Sequence, residues 1–244
     1  MNNPFVLFSS SHLLALLLLV AASFLLFSIR RRLQRAPRGK AILRGTLAFL
    51  LSGSEGVLDI WNIVSGTWSP RYTLPLELCS LTLLLSIIML LTKSRLLYEV
   101  LFFAGIGGAL QALITPNLAF GFPHIRFYQF FIVHILIILA SLYMTWIENY
   151  KPTWKSIGLT MIFLNLAALL VGITDYYLDA NYMFLMHKPS TASILDWLGP
   201  YPLYLLAEEG IALLIFTVMQ LLFFVLPEKM FRTGNSRGRG HSAM

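Results

Sequence analysis

Residues 11–29 read SHLLALLLLVAASFLLFSI, nineteen positions without Asp, Glu, Lys or Arg, and Arg30, Arg31 and Arg32 follow directly. At about 1.5 Å per residue, a helix of this length crosses a hydrocarbon core of about 30 Å. A helix also satisfies its own backbone hydrogen bonds in lipid. The basic residues follow the apolar run, whereas a cleaved signal peptide carries them before it. The stretch therefore predicts a retained transmembrane helix.

Six further apolar runs of similar length occupy most of the remaining chain. They are Ala41–Val64, Thr73–Thr92, Leu96–Ile114, Ile125–Ile147, Ser156–Leu178 and Tyr201–Leu226. The composition agrees, since 12% of the residues are charged, against about 25% in soluble domains. The runs also lack the alternation of a transmembrane β-barrel. We predict an all-α polytopic bundle of seven transmembrane helices, with residues 1–232 as a single domain and residues 233–244 as a disordered tail.

Basic residues are distributed unevenly between the segments that join these runs. Fifteen of the 18 Lys and Arg residues follow the first, third, fifth and seventh runs, and only Arg71, Arg126 and Lys188 fall in the alternate segments. By the positive-inside rule, this places the N-terminus outside and the C-terminus in the cytoplasm of a multi-pass protein of the cell membrane. The formal charge of +7 is thus a topology signal, and we expect no nucleic-acid partner.

Ionisable residues within the runs are concentrated toward the predicted outer face. Those near this face include Glu55, Asp59, Glu77, His134, Asp175, Glu208 and Glu209. Glu55, Asp59 and Asn62 have the i, i+4, i+7 spacing of one helical stripe. Because such groups are costly in hydrocarbon, they usually face a bundle interior or a wet cavity. We therefore predict a polar cavity open to the outer leaflet. The alternative for Glu77, Asp175, Glu208 and Glu209 is an interfacial position without a site.

Cys79 and His134 are expected at similar depth, within about two turns of the outer face. A thiol and an imidazole are the minimum parts of a nucleophilic pair, in which histidine is the base and the reaction is acyl transfer through a thioester. We assign supporting or substrate-binding roles to Glu55, Asp59, Glu77, Gln111, Asn117 and Glu208. Among these, Glu55 or Asp59 would orient the imidazole, and Gln111 or Asn117 would stabilise an oxyanion. Packing of a lone buried cysteine is the alternative.

Two other function classes use the same polar residues. Metal hydrolysis could draw on His124, His134 and His187, but no HExxH-like spacing joins them, so we predict no metal and no cofactor. A transporter or a lipid- or solute-binding protein would hold its ligand with the acidic residues and use Cys79 only for packing. In any class, the long apolar segment Asp179–Pro200 is expected to cap the mouth of the bundle.

Several motifs occur in a recognisable order along the chain. They are LPLELC at 74–79, GGALQALITPN at 107–117, FYQFFIVH at 127–134, KP at 188–189 and LGPYP at 198–202. They resemble the YwaF-like bacterial seven-span integral membrane protein family and, more distantly, eukaryotic transmembrane ether-phospholipid acyltransferases. The resemblance implies a phospholipid acyltransferase with Cys79 and His134 as the catalytic pair, acting on a membrane phospholipid or lysophospholipid. Glu77 departs from the bacterial pattern, which often has histidine there.

Overall fold

The computed structural model describes residues 4–189 and 194–228, and these are predominantly helical. The seven α-helices are α1 Ser10–Gln34, α2 Pro37–Val64, α3 Leu78–Thr92, α4 Arg95–Ile114, α5 Ile125–Trp146, α6 Trp154–Leu178 and α7 Leu203–Gln220. Helix α7 continues through a π-helical turn, Leu221–Val225. Within the described ranges the only β-pairing is an isolated bridge between Pro4 and Phe120. The all-α prediction is thereby confirmed, whereas the predicted tail at 233–244 lies outside the described residues.

Six of these helices are long and apolar enough to cross a membrane, and α3 is the exception. With 15 residues, α3 is about 22 Å long, shorter than a typical hydrocarbon core. The predicted start at Thr73 was wrong, because α3 begins only at Leu78. Pro75 explains the late start, since proline disfavours helical backbone in the residue before it and lacks an N–H. The chain is therefore a multi-pass helical membrane bundle with one short helix.

Helices α4 and α5 form the centre of the bundle. Helix α4 packs against α3, α5, α6 and α7, and α5 packs against α1, α2, α3 and α4. Every residue from 101 to 107 is buried, whereas α1 and α6 leave large apolar side chains exposed, as expected for surfaces that face lipid. Gly107 permits close packing, because a Cβ there would lie 3.2 Å from the ring of Phe216 on α7.

One end of the bundle, which we call the loop end, is formed by segments 65–77, 115–124, 179–189 and 194–202. The N-terminus also reaches this end, where the Phe5 N–H donates to Ala119 O at 3.3 Å. His12 of α1 is fully buried there, with Nε2 2.8 Å from Leu113 O. Its Nδ1 accepts a hydrogen bond from the Phe8 N–H at 3.0 Å. These bonds fix the first helix to the core at the end of the bundle that holds the candidate site.

Candidate functional site

A cavity of about 750 Å³ lies at the loop end between α3, α4, α6 and α7. Most of its lining is apolar, and the polar side chains that line it are Glu77, Gln111, Asn165, Glu208 and Glu209. Its volume is within the range of sites that bind small ligands. Among the described residues, neither Glu208 nor Glu209 has an ion-pair partner. The cavity therefore suits an amphiphile, with carboxylates and amides at its polar positions.

The segment between α6 and α7 lines this cavity through Met183, Leu185, Trp197 and Leu198, as a cap would. Two carboxylates from different elements hold consecutive backbone amides of the segment. Asp175 Oδ1 accepts from the Tyr182 N–H at 2.9 Å, and Glu77 Oε2 accepts from the Met183 N–H at 3.0 Å. Because Glu77 immediately precedes α3, this bond links the cap to the start of that helix.

Tyr182 joins the cap to the neighbouring segment 65–77. Its hydroxyl donates to Pro70 O at 2.9 Å and accepts from the Leu74 N–H at 2.9 Å. Burial, as the largest effect, raises the pKa of the Tyr182 phenol, so the hydroxyl keeps its proton and remains a donor at neutral pH. Arg71 adds an ion pair to Asp179 and a hydrogen bond to Leu178 O at 3.0 Å. The cap is thus fixed to segment 65–77 by side-chain contacts.

Cys79 lies in a second group of residues and does not line the cavity. The guanidinium of Arg126 interacts electrostatically with both Cys79 and Glu55. Arg126 also acts electrostatically on His134. We call these four residues, Cys79, Glu55, Arg126 and His134, the thiol cluster. They bring together α2, α3 and α5, which pack against one another.

The late start of α3 puts Cys79 in the first turn of the helix. Backbone N–H groups in a first turn have no carbonyl four residues earlier within the helix, and the helix dipole makes this end favourable for negative charge. Helix N-termini are positions where cysteine thiolates are stabilised. The first-turn position thus places Cys79 beside backbone N–H groups that have no acceptor within the helix.

His134 is 3% exposed, and its ring packs on Phe130 at a centroid distance of 4.3 Å. Its Nδ1 lies 2.6 Å from Phe130 O. Because a carbonyl only accepts, Nδ1 must carry the proton, which leaves the lone pair of Nε2 to act as a base. A backbone carbonyl makes this contact, and the orienting role of Glu55 or Asp59 stays a prediction. In any helix, a histidine can reach the backbone carbonyl four residues before it, so this contact does not depend on the residue type at position 130.

Arg126 is the member of the thiol cluster that sequence reasoning missed, because it was counted only as a loop charge. It lies one residue inside α5, and its Nη1 donates to Gln129 Oε1 at 3.0 Å. Arg126, Phe130 and His134 have the i, i+4, i+8 spacing of one helix face. That spacing is the sequence signal that could have identified it.

The structure separates the residues that were predicted to share one cavity. Cys79, His134 and Glu55 belong to the thiol cluster, and Asp59 lies one turn after Glu55 and interacts with it electrostatically. Glu77, Gln111 and Glu208 line the cavity. Asn117 is exposed in the segment after α4, at the same end. Gln111, one of the two predicted oxyanion donors, thus lines the cavity, which Cys79 does not.

The three histidines of the metal hypothesis have separate environments. His124 caps α5 by accepting from the Arg126 N–H and stacks on Phe120 at 4.2 Å, and His187 is bonded to Asn181 in the cap. In the part of the chain that the structure describes, no three His, Cys, Asp or Glu side chains are grouped to hold a metal ion. The chemistry available at the loop end is thus that of a thiol, an imidazole, carboxylates and a guanidinium.

Comparison with known families gives one match. The model of the TMEM164 family matches residues 7–220 of the 244-residue chain. No curated protein and no solved structure matches the chain. The match covers all seven α-helices, and it ends at Gln220, the last residue of α7.

Proposed function

Since the chain belongs to the TMEM164 family, we propose that it is an integral membrane enzyme that transfers or hydrolyses a lipid acyl group through Cys79 and His134. The resemblance of its motifs to the YwaF-like proteins and to the ether-phospholipid acyltransferases supports this activity. We also propose seven membrane passages, with the N-terminus outside the cell membrane, from the distribution of basic residues. The substrate would then enter from the outer leaflet.

The observation that carries the proposal is that α3, which bears Cys79, packs against α5, which bears His134. A whole helix, α4, separates the two in sequence. Packing alone does not require a histidine with a fixed tautomer near the only thiol of the chain. The thiol position in the first turn of α3 supports the same chemistry.

The proposed reaction begins with transfer of the Cys79 proton to His134 Nε2 as the sulfur attacks the ester carbonyl of a phospholipid. The tetrahedral intermediate collapses to an acyl thioester, and the leaving alkoxide takes the proton from His134. A lysophospholipid hydroxyl then attacks the thioester, with His134 as the base, and the proton passes back to the departing sulfur. Attack by water in the second step gives a free fatty acid instead.

First-turn backbone N–H groups of α3 are better candidates for the oxyanion donors than Gln111 or Asn117. They lie at the residue that carries the nucleophile, and they have no helical acceptors of their own. The apolar cavity would receive an acyl chain, because Glu77 and Leu78, which line it, immediately precede Cys79. The cap between α6 and α7 would cover the bound chain and limit access of water.

The test is lipid mass spectrometry on purified protein that is reconstituted in phospholipid with an isotope-labelled lysophospholipid. Wild type is compared with Cys79→Ala, Cys79→Ser and His134→Gln, and thermal unfolding establishes that each variant is folded. A labelled diacyl product that is lost in every variant supports transacylation. A fatty acid that is released only by wild type supports hydrolysis. Equal lipid profiles in wild type and Cys79→Ala would contradict the proposal.

A second candidate function follows from the unpaired carboxylates of the cavity. Glu208 and Glu209 line an apolar space without an ion-pair partner among the described residues, so a cationic group of a ligand could neutralise them. The protein would then be a transporter or a binding protein for a lipid or solute. This function predicts that Cys79→Ala is tolerated and that Glu208→Gln abolishes binding.

A further inference from the structure

Arg126 is an arginine with most of its hydrogen-bonding capacity unused. Its guanidinium is half-buried, and its single side-chain hydrogen bond in the described structure goes to the neutral amide of Gln129. Within residues 4–189 and 194–228, no carboxylate forms an ion pair with it. A guanidinium has five N–H donors in a planar fork. Four of them are therefore available to an acceptor that the described residues do not supply.

The position of Arg126 makes this lack of a partner costly. Charged side chains within membrane helices normally pair with an opposite charge or face a polar cavity. Glu55 acts on Arg126 electrostatically but does not reach ion-pair distance. Its carboxylate thus compensates the positive charge only in part. The site is suited to a second anion that can contact the guanidinium directly.

The anion present near the end of a membrane helix is the phosphate of a lipid. Arg126 belongs to the first turn of α5, at the loop end of the bundle. Arginine binds phosphate through two parallel N–H donors, a geometry that fixes orientation as well as position. A phosphate held there would have its glycerol backbone next to the thiol cluster, where the ester bond must lie for attack by Cys79.

We propose that Arg126 binds the phosphate group of the phospholipid or lysophospholipid and so positions the lipid for Cys79. The positioning for Cys79 rests on the proposed function, whereas phosphate binding by Arg126 does not. Glu55 is the internal competitor for the same guanidinium. Binding of the lipid replaces the partial compensation by Glu55 with direct contacts to phosphate. Arg126 is accordingly a specificity-determining residue, which selects phosphate-containing lipids over neutral acylglycerols.

This arrangement predicts effects of opposite sign for the two charged residues. Arg126→Gln removes the anchor, so binding of the phosphate-containing lipid weakens by about tenfold or more, the effect expected for charge-assisted hydrogen bonds. Glu55→Gln removes the competitor, so binding tightens. Gln129→Glu places a carboxylate where the amide now accepts from Arg126, so binding weakens although the arginine is kept. If the thiol cluster only maintained the fold, lipid binding would weaken in all three variants.

The experiment measures lipid binding in a Cys79→Ala background, where turnover does not interfere. The probes are a fluorescent lysophosphatidylcholine and a monoacylglycerol with the same fluorescent chain, each titrated against protein in detergent micelles. Arg95→Gln is the control for the loss of one positive charge, because Arg95 is exposed and pairs with Glu99. Thermal unfolding of each variant shows that it is folded.

The expected result is a preference for the phosphate-containing probe that is lost in Arg126→Gln, reduced in Gln129→Glu, increased in Glu55→Gln and unchanged in Arg95→Gln. A preference that survives in Arg126→Gln overturns the inference, as does weaker binding in Glu55→Gln. Displacement of the probe by inorganic phosphate as effective as by unlabelled lysophospholipid overturns the lipid assignment in favour of free phosphate. If wild type shows no acyl chemistry but the Arg126 dependence holds, the proposed function fails and the phosphate site stands.

Discussion

Replacing Tyr182 by phenylalanine removes one hydroxyl that holds the cap on segment 65–77. Tyr182 is 3% exposed, and its hydroxyl makes two hydrogen bonds of 2.9 Å, to Pro70 O and from the Leu74 N–H. The ring and its packing are retained in Tyr182→Phe. The substitution therefore isolates the two polar contacts that join the cap to the segment before α3.

The size of the effect follows from the surroundings of the two backbone groups. A buried hydrogen bond contributes about 1 kcal/mol net, and a group left without a partner adds its desolvation penalty. Pro70 is exposed, so water can replace the hydroxyl at its carbonyl, whereas the half-buried Leu74 loses its acceptor with less access to water. We expect a destabilisation of the closed cap of about 2 kcal/mol, which increases its open population about thirtyfold.

Hydrogen–deuterium exchange of the detergent-solubilised protein measures this change directly. In Tyr182→Phe, amides of residues 72–76 and 181–186 should exchange faster, while amides in α4 and α5 stay protected. Tyr177→Phe is the matched control, because Tyr177 is an exposed tyrosine at the end of α6. Equal exchange in the cap of wild type and Tyr182→Phe would refute the reasoning, since it would show that other contacts alone keep the cap closed.

Three further substitutions test the fold and the cap. His12→Ala removes a fully buried side chain with both nitrogens bonded, and thermal unfolding should show a loss of about 2–4 kcal/mol. Gly107→Ala should cost about 1–3 kcal/mol by overpacking, whereas Gly158→Ala, which meets no neighbouring atom, should be neutral or stabilising in the same assay. Glu77→Leu should speed amide exchange around Met183 because it removes the acceptor of that N–H, whereas Glu77→Gln, which keeps a carbonyl, should not.

Helix positions were predictable because lipid constrains the chain strongly. An apolar run in hydrocarbon must satisfy its own backbone, so run length and helix length agree within about two residues for α4, α5 and α6. The predicted start of the third helix was wrong because hydropathy does not detect where the hydrogen bonding of a helix begins. Residues 73–77 are apolar enough to extend a helix, but Leu74 donates its N–H to the cap instead.

The site was only partly predictable because the sequence gives the depth of a residue in the membrane more readily than the direction in which its side chain points. Glu77 and Cys79 lie at similar depth, but Glu77 precedes α3 with extended backbone whereas Cys79 lies in the first helical turn, so similar depth does not give their side chains the same direction. One therefore lines the cavity, and the other belongs to the thiol cluster. The charge of Arg126 suggested a loop, whereas its register with His134 indicated a helix face. His134 is bonded to the backbone carbonyl of Phe130, and because every residue has such a carbonyl, the residue type at position 130 does not predict this bond.

The short α3 connects these observations. Had the helix started at Thr73, Cys79 would lie two turns inside it, where backbone N–H groups are engaged in the helix and the dipole no longer favours a thiolate. The start at Leu78 instead places the first-turn N–H groups at the only thiol of the chain and leaves residues 73–77 outside the helix, where Leu74 and Glu77 bond to the cap. The same five residues that shorten the helix below membrane length thus carry contacts to the cap and, through Glu77, line the cavity. A change in the cap is therefore expected to alter the position of Cys79 through Glu77, without any contact between the cap and the thiol.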